Sequence, residues 1–348
     1  MTRLLALPLG ACALGRAIDS NGMPLDGGPP LQGRKVTVEL RSPRPNQRVP
    51  ITTPLWTGLR VIDGMLTIGR GARIGIFGGA GSGKTTLIET IAGGCAADVV
   101  IVALVGERGR EAQGWIERRD DRTTVICATS DRPPHERLGA AHVAAAHADA
   151  LRERGLHVLL VFDSLARVAT ALREIGVAAG QSTGRGGYPP SVFAEMARLV
   201  EVSGSIASGS ITLIATVIND GDDRDPVSEA ARSMLDGHVV LSKRLVEAGR
   251  FPAVDVLASS SRTMEVVASK EHRCDARRLR AALALLDRFE DARTLGIEPT
   301  GGAARVVVAA EKHIEAFLRQ DGRASEHRLT LSRLANLAAN LEVSDADL

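Results

Sequence analysis

The chain has 348 residues, 44% of them hydrophobic, and its 43 basic and 41 acidic side chains leave a formal net charge of +2. This length accommodates one large α/β domain with smaller appendages, and the balanced charge provides no field that would gather nucleic acid or an acidic membrane wholesale. Aromatics at 3% offer little for a base-stacking platform. Cys12, Cys95, Cys127 and Cys274 are far apart and form no C-x-x-C pair, which points to reduced cytosolic thiols rather than a disulfide frame or a zinc site. His142 and His147 miss the i, i+4 spacing that would set two metal ligands on one helix face.

In chain order, Arg3 followed by LLALPLGACALG resembles a short export signal in form. No run approaches the roughly 18 continuous apolar residues of a spanning helix. Residues 19–54 are rich in Pro and Gly and read as turns, short strands and a linker. From Leu55, apolar runs alternate with helix-length segments: RIGIF from Arg73, then Val99 to Val105, Thr124 to Ala128, His157 to Phe162 and Ser210 to Ile218. The alternation predicts an α/β fold with a mostly parallel sheet covered on both faces. Helices are expected from Leu138 and from Ser191, each ending at or near Gly. Beyond about Lys270, amphipathic helical patterns replace the strand runs, which marks a separate C-terminal helical domain. The expected division is 1–54, 55–270 and 271–348. No internal repeat is apparent.

Between RIGIF and a helix-like stretch from Thr86 lies GGAGSGKT: Gly78, Gly79, Ala80, Gly81, Ser82, Gly83, Lys84 and Thr85. This is a complete phosphate-binding loop in the strand-loop-helix context that gives the pattern meaning. Its glycines let successive backbone N–H groups turn inward around a polyphosphate, and the following helix start, with Thr86, adds a positive dipole end. In such a loop Lys84 reaches the outer phosphates and Thr85 holds Mg²⁺. An ATP-dependent chain has no nucleotide outside the cytosol, which weighs against the export reading of the first residues.

Open α/β sheets place ligands at the carboxyl ends of their strands. There Asp163 has the form of the carboxylate that holds Mg²⁺ through water, or else it N-caps the segment from Ser164. Glu107, closing the run from Val99, is placed to orient or deprotonate the attacking water. The alternative is an ordinary pair with Arg108 or Arg110 on a solvated loop.

The blocks VALVGERGREAQGW, LLVFDSLAR, GRGGYPPSVFAEMARLVE, GDDRDPVSEAARSMLDGHVVLSK, RFPAVDVLASSSR and IEAFLRQ occur in this order and spacing. Together they resemble the flagellar and type III secretion ATPases, which are homologous to the catalytic subunits of rotary ATP synthases; the resemblance covers nearly the whole chain from about Leu14. It implies a RecA-like phosphate-loop NTPase core followed by a C-terminal helical domain, with ATP and Mg²⁺ bound and Mg-dependent ATP hydrolysis. It places Glu107 as the catalytic carboxylate and Arg108 as a γ-phosphate ligand. Phe251 falls where the family sets an aromatic against the adenine, although a core Phe ahead of a proline is the other reading. Arg262 matches an arginine finger inserted into the neighbouring subunit's site, where a lone Arg would otherwise be a surface cation. A finger of this kind requires a ring, expected to be a homohexamer.

The resemblance also implies that the loop Gly180–Pro190 faces a central pore; as bare sequence it is a mobile loop. The acidic run NDGDDRDP from Asn219 lacks an EF-hand's ligand register and is expected to be a solvated loop or subunit contact. The family begins with a β-barrel domain, of which LGRAIDSNGMPLDGG reads as the tail, so residues 1–54 are expected to be barrel remnant and linker. Implied partners are further copies of the chain, secretion-apparatus stalk and regulatory proteins, and export chaperones and substrates. No nucleic acid is implied, and membrane association is at most peripheral, at the inner face of the bacterial inner membrane, for a cytoplasmic protein. The reading is an ATPase that energises flagellar or virulence protein export, including chaperone release or substrate unfolding. A rotary ATPase-type subunit and a nucleotide-binding scaffold without turnover are the alternatives.

Overall fold

The strand Val99–Val105, 7 residues long and buried throughout, is the sort of uninterrupted apolar segment that only the middle of a sheet covered by other structure can use. A computed structural model, describing residues 5–218, 225–294 and 301–341, places it in the first of two compact units, formed by Met1–Ile51, Arg70–Ala80 and Ala97–Asp236. The parallel strands of that unit run in the order Arg73–Gly78, Ser210–Ile218, His157–Asp163, Val99–Val105, Thr123–Ala128 and Ala17–Asp19. All five apolar runs expected to be strands are therefore neighbours in one mostly parallel sheet. The sixth strand is only 3 residues long.

Helix Pro134–Arg152 packs on Val99–Val105, Thr123–Ala128 and His157–Asp163. Ala140, Ala141, Ala144, Ala145 and Ala148 are fully buried, so the small side chains allow a close approach to the sheet. The helix begins at Pro134 rather than at the expected Leu138, because proline's fixed φ and missing N–H suit a first helical position. It ends at Arg152, where Gly155, at φ +92°, reverses the chain.

The opening segment is fastened to this unit. Ala6–Pro8 pairs antiparallel with Lys35–Thr37, and the N–H of Gly10 donates to Nδ1 of buried His147 at 3.1 Å; burial pushes that imidazole down to about 4. Asp26 accepts from Arg16 at 2.8 Å and from Arg119 at 3.3 Å, which ties the segment to the chain just beyond helix Gly109–Arg118. The loop from Gly180 is folded back by a Gly184 to Tyr188 backbone bond of 3.0 Å and by Arg173, 5.4 Å over the Tyr188 ring. Of the acidic run, Asn219–Arg224 lie outside the described residues.

The second unit comprises Thr52–Gly69, Gly81–Ala96 and Gly237–Leu348. It holds the antiparallel pair Gly237–Leu241 and Val254–Ser261, with a register shift between His238 and Val240. Its helices include Arg60–Met65, Lys84–Gly94, Lys270–Thr294, Gly302–Leu318 and His327–Ala339. Leu279, Val307, Ile314 and Leu334 lie in its apolar core. Polar ties bind these helices to the residues ahead of the phosphate loop. His272 Nε2 lies 2.8 Å from the Gly64 carbonyl oxygen, and Trp56 stacks on His327 at 4.7 Å between centroids. Asp63, fully buried, accepts from the Thr57 hydroxyl and from the N–H groups of Thr57 and Gly58. Burial nevertheless pushes its carboxyl up to about 6.

Candidate active site

Parallel register explains why the polar residues of the first unit gather at one end. Leu104 lies opposite Asp163 and Ala103 opposite Phe162, so Glu107, just beyond its strand, emerges at the carboxyl end beside Asp163. Ala215 lies opposite Phe162, which brings Thr216 level with Asp163, and the Thr216 hydroxyl donates to Asp163 Oδ1 at 2.6 Å. Ile218 lies opposite Gly78, so the phosphate loop starts at the same end, two strands from Asp163, or roughly 10 Å.

Glu107 is 6% exposed and Asp163 5%. Gly106, at φ +68°, lets the chain turn sharply from the strand and bury the carboxylate that follows. Its ion partner is neither Arg108, which is exposed and occupies the N-cap position of helix Gly109–Arg118, nor Arg110. It is Arg167, whose Nε lies 2.8 Å from Glu107 Oε1 without the alignment of a hydrogen bond. Burial is the main cause that raises the Glu107 carboxyl to about 7; Asp163 and Glu111 add to the rise and Arg167 opposes it. A carboxylate with these surroundings suits proton transfer near neutral pH.

Asp163 closes the strand His157–Asp163, and the N-cap of helix Leu165–Ala178 is the next residue, Ser164, whose hydroxyl accepts from the Arg167 N–H at 3.3 Å. Arg167 and Thr216 were not singled out in the sequence. Arg167 belongs to the DSLAR block, and its position in the first turn after a strand-ending acid is the available signal.

The chain passes from the first unit to the second inside the phosphate loop, between Ala80 and Gly81. Gly81 at φ +75° and Gly83 at φ +90° adopt left-handed conformations that other residues rarely tolerate. Gly83 is the N-cap of helix Lys84–Gly94, so Lys84, Thr85 and Thr86 form its first turn, while Ser82 is buried and Gly79 half-buried. Within the second unit a cavity of about 420 Å³ is lined by Gly83, Thr86, Thr90, Phe251, Pro252 and Gln320. Phe251 is 50% exposed, so it is not a core residue. Its carbonyl accepts from the Gln320 N–H at 2.8 Å. The Gln320 side chain donates to the Gly58 carbonyl at 2.6 Å and accepts from the Arg60 N–H at 2.9 Å. Gln320, the last residue of the IEAFLRQ block, is a third residue that sequence reasoning passed over. Arg262 follows the strand Val254–Ser261 and is exposed.

A phosphate loop opening from a parallel strand, with buried carboxylates at the carboxyl ends of two further strands of the same sheet, defines the chain as a phosphate-loop nucleoside triphosphatase. Residues 58–261 match the nucleotide-binding domain of the ATP synthase alpha/beta family. The chain is 44% identical to the type 3 secretion system ATPase of Xanthomonas euvesicatoria over 90% of its own length and 73% of the relative's. It is 42% identical to the flagellum-specific ATP synthase of Salmonella typhimurium, over 90% and 71%. The assembled ATPase EscN of enteropathogenic E. coli, solved with its central stalk EscO, superposes with a TM-score of 0.90 at 36% identity, covering 96% of this chain and 83% of that one. The protein belongs to the ATP synthase alpha/beta family and, within it, to the type III secretion and flagellum-specific ATPases. It is an ATPase.

Proposed function

We propose that the chain hydrolyses ATP at seams between its own copies in a ring, a hexamer, and that the hydrolysis drives protein export through a type III apparatus. Buried Glu107, raised to about 7 at the carboxyl end of the sheet, is the observation that carries the chemistry. Gly78 to Thr86 cradle the triphosphate and Phe251 lies against the base at the cavity it lines. Glu107 orients the attacking water and receives its proton. Lys84, Arg108 and Arg262 of the next copy offset the negative charge that grows on the transferred phosphoryl. The Thr85 hydroxyl and the Asp163 carboxylate are hard oxygen donors of the kind Mg²⁺ takes, and Thr216 holds the carboxylate in place. Mg²⁺, when bound, neutralises phosphate charge and orients the γ-phosphate.

Stalk and regulatory proteins, export chaperones and substrates are the proposed partners; EscN, solved as an assembly with its stalk, supports self-association and a stalk contact. Chaperone release or unfolding would follow from motion at the seams. Among the described residues no helix is long and apolar enough to cross a membrane; a cytoplasmic protein, peripheral at the inner membrane, is the proposed setting.

Steady-state ATPase activity measured against protein concentration tests the ring. Specific activity is expected to rise with concentration, and Arg262→Ala should lose about 10³- to 10⁵-fold in turnover with nucleotide binding retained. Activity independent of concentration would overturn the seam.

A further inference from the structure

We propose that Ser261 and Thr263 form a mount that presents Arg262 to a neighbouring copy of this chain; the inference rests on reading Arg262 as a finger that acts in trans. Both residues flanking Arg262 are bound to one short stretch of the same unit. The Ser261 hydroxyl donates to the Thr67 carbonyl at 2.8 Å, and Thr263 Oγ1 accepts from the Gly69 N–H at 3.0 Å. The two hydroxyls lie 3.2 Å apart, which makes one connected group. Thr263 is only 7% exposed and Met264 8%, whereas Arg262 between the fastened residues is exposed. Among the described residues the Arg262 guanidinium has no hydrogen-bond or ion-pair partner.

The strand behind it is held as well. Ser261 lies opposite Gly237 in the antiparallel pair, and the Arg280 guanidinium reaches the Ser259 carbonyl at 3.2 and 3.3 Å. The result is an unattached cation on an immobilised backbone. An arginine that must reach a transition state loses conformational freedom when it gets there, and fixing its backbone beforehand removes that part of the cost. Catalytic donors work best when they need not be reorganised during the reaction. A solvated surface arginine has no use for such anchoring. Ser261 and Thr263 touch no substrate in this arrangement, so they are positioning residues.

Thr263→Val keeps the branched shape and removes the acceptor, Ser261→Ala removes the other anchor, and Thr263→Ser restores a hydroxyl. Thr263→Val and Ser261→Ala are each expected to lower kcat by up to about 10²-fold, with the Kd for a fluorescent ATP analogue and the melting temperature unchanged; Thr263→Ser is expected to recover most of the rate. Subunit mixing then assigns the defect. Thr263→Val mixed with Lys84→Ala should regain activity, because one subunit supplies an intact nucleotide site and the other an intact finger. Mixed with Arg262→Ala it should not. Rescue by Arg262→Ala would place the defect in the mutant's own nucleotide site and overturn the mount, as would unchanged kcat in both Thr263→Val and Ser261→Ala. Should Arg262→Ala alone turn over normally, the finger reading has failed and the mount falls with it. Should Arg262→Ala fail while both anchor variants run normally, only the mount is lost.

Discussion

The carboxyl end of the parallel sheet and the cavity beside Phe251 are built in opposite ways. At the first, charged groups are withdrawn from water: Glu107 and Asp163 are each at most 6% exposed and are held by Arg167 and Thr216. At the second, a half-exposed ring lines a cavity, and its backbone carbonyl accepts from the Gln320 N–H. A buried carboxyl group has a fixed direction and a proton affinity shifted toward neutral pH, which is what proton transfer requires. A flat apolar face needs only to be present, because stacking tolerates small displacements. In the proposed mechanism the difference separates turnover from affinity, and substitutions in the two regions should act on different kinetic constants.

Between these two regions the larger effect belongs to the sheet end. Glu107→Gln keeps size and hydrogen bonding but cannot take a proton, so kcat should fall by roughly 10²- to 10⁴-fold while ATP binding, read by an equilibrium assay, stays the same. Normal turnover would remove Glu107 from the chemistry and erase the contrast. Next comes the cavity. Phe251→Ala should weaken ATP affinity by about 1 to 3 kcal/mol, the usual worth of a stacked base, and leave kcat nearly intact, with Phe251→Tyr close to the parent. A kcat loss equal to that of Glu107→Gln would show that the cavity is not merely a binding feature.

The smallest effect is on pH dependence. In the proposed role Glu107 acts as its anion, and its carboxyl is raised to about 7, so kcat/KM should fall with acid below that point, toward tenfold per unit. Arg167 favours the anion. Arg167→Gln should therefore move the acid limb to higher pH, and a limb that stays fixed or moves down would contradict the pairing.

Much of this was legible beforehand. The central strands are continuous apolar runs, and runs bounded by Gly and polar residues leave few alternatives. Glu107 and Asp163 were visible because they end such runs, where ligands of open sheets collect. Ala17–Asp19 was not visible as a strand beside Thr123–Ala128, since 3 residues carry no period. Arg167 was hidden by distance along the chain, because only the parallel pairing of Val99–Val105 with His157–Asp163 brings the start of its helix to Glu107. Gln320 was hidden in the same way: its role depends on backbone groups of Gly58, Arg60 and Phe251, and such partners leave no side-chain signature.

Asp26 has a consequence for handling the protein in acid. Its carboxyl sits well below the usual range, chiefly through its hydrogen bond with Arg16 and despite burial, with the Ala17 and Gly28 N–H groups also donating to it. A depressed carboxylate contributes fully above its unfolded pKa and is lost only as pH falls through the lower, folded one. The ribbon from Arg16 to Gly28 should thus stay latched at pH 4, and slow amide hydrogen exchange at Ala17 and Gly28 in that buffer would register it.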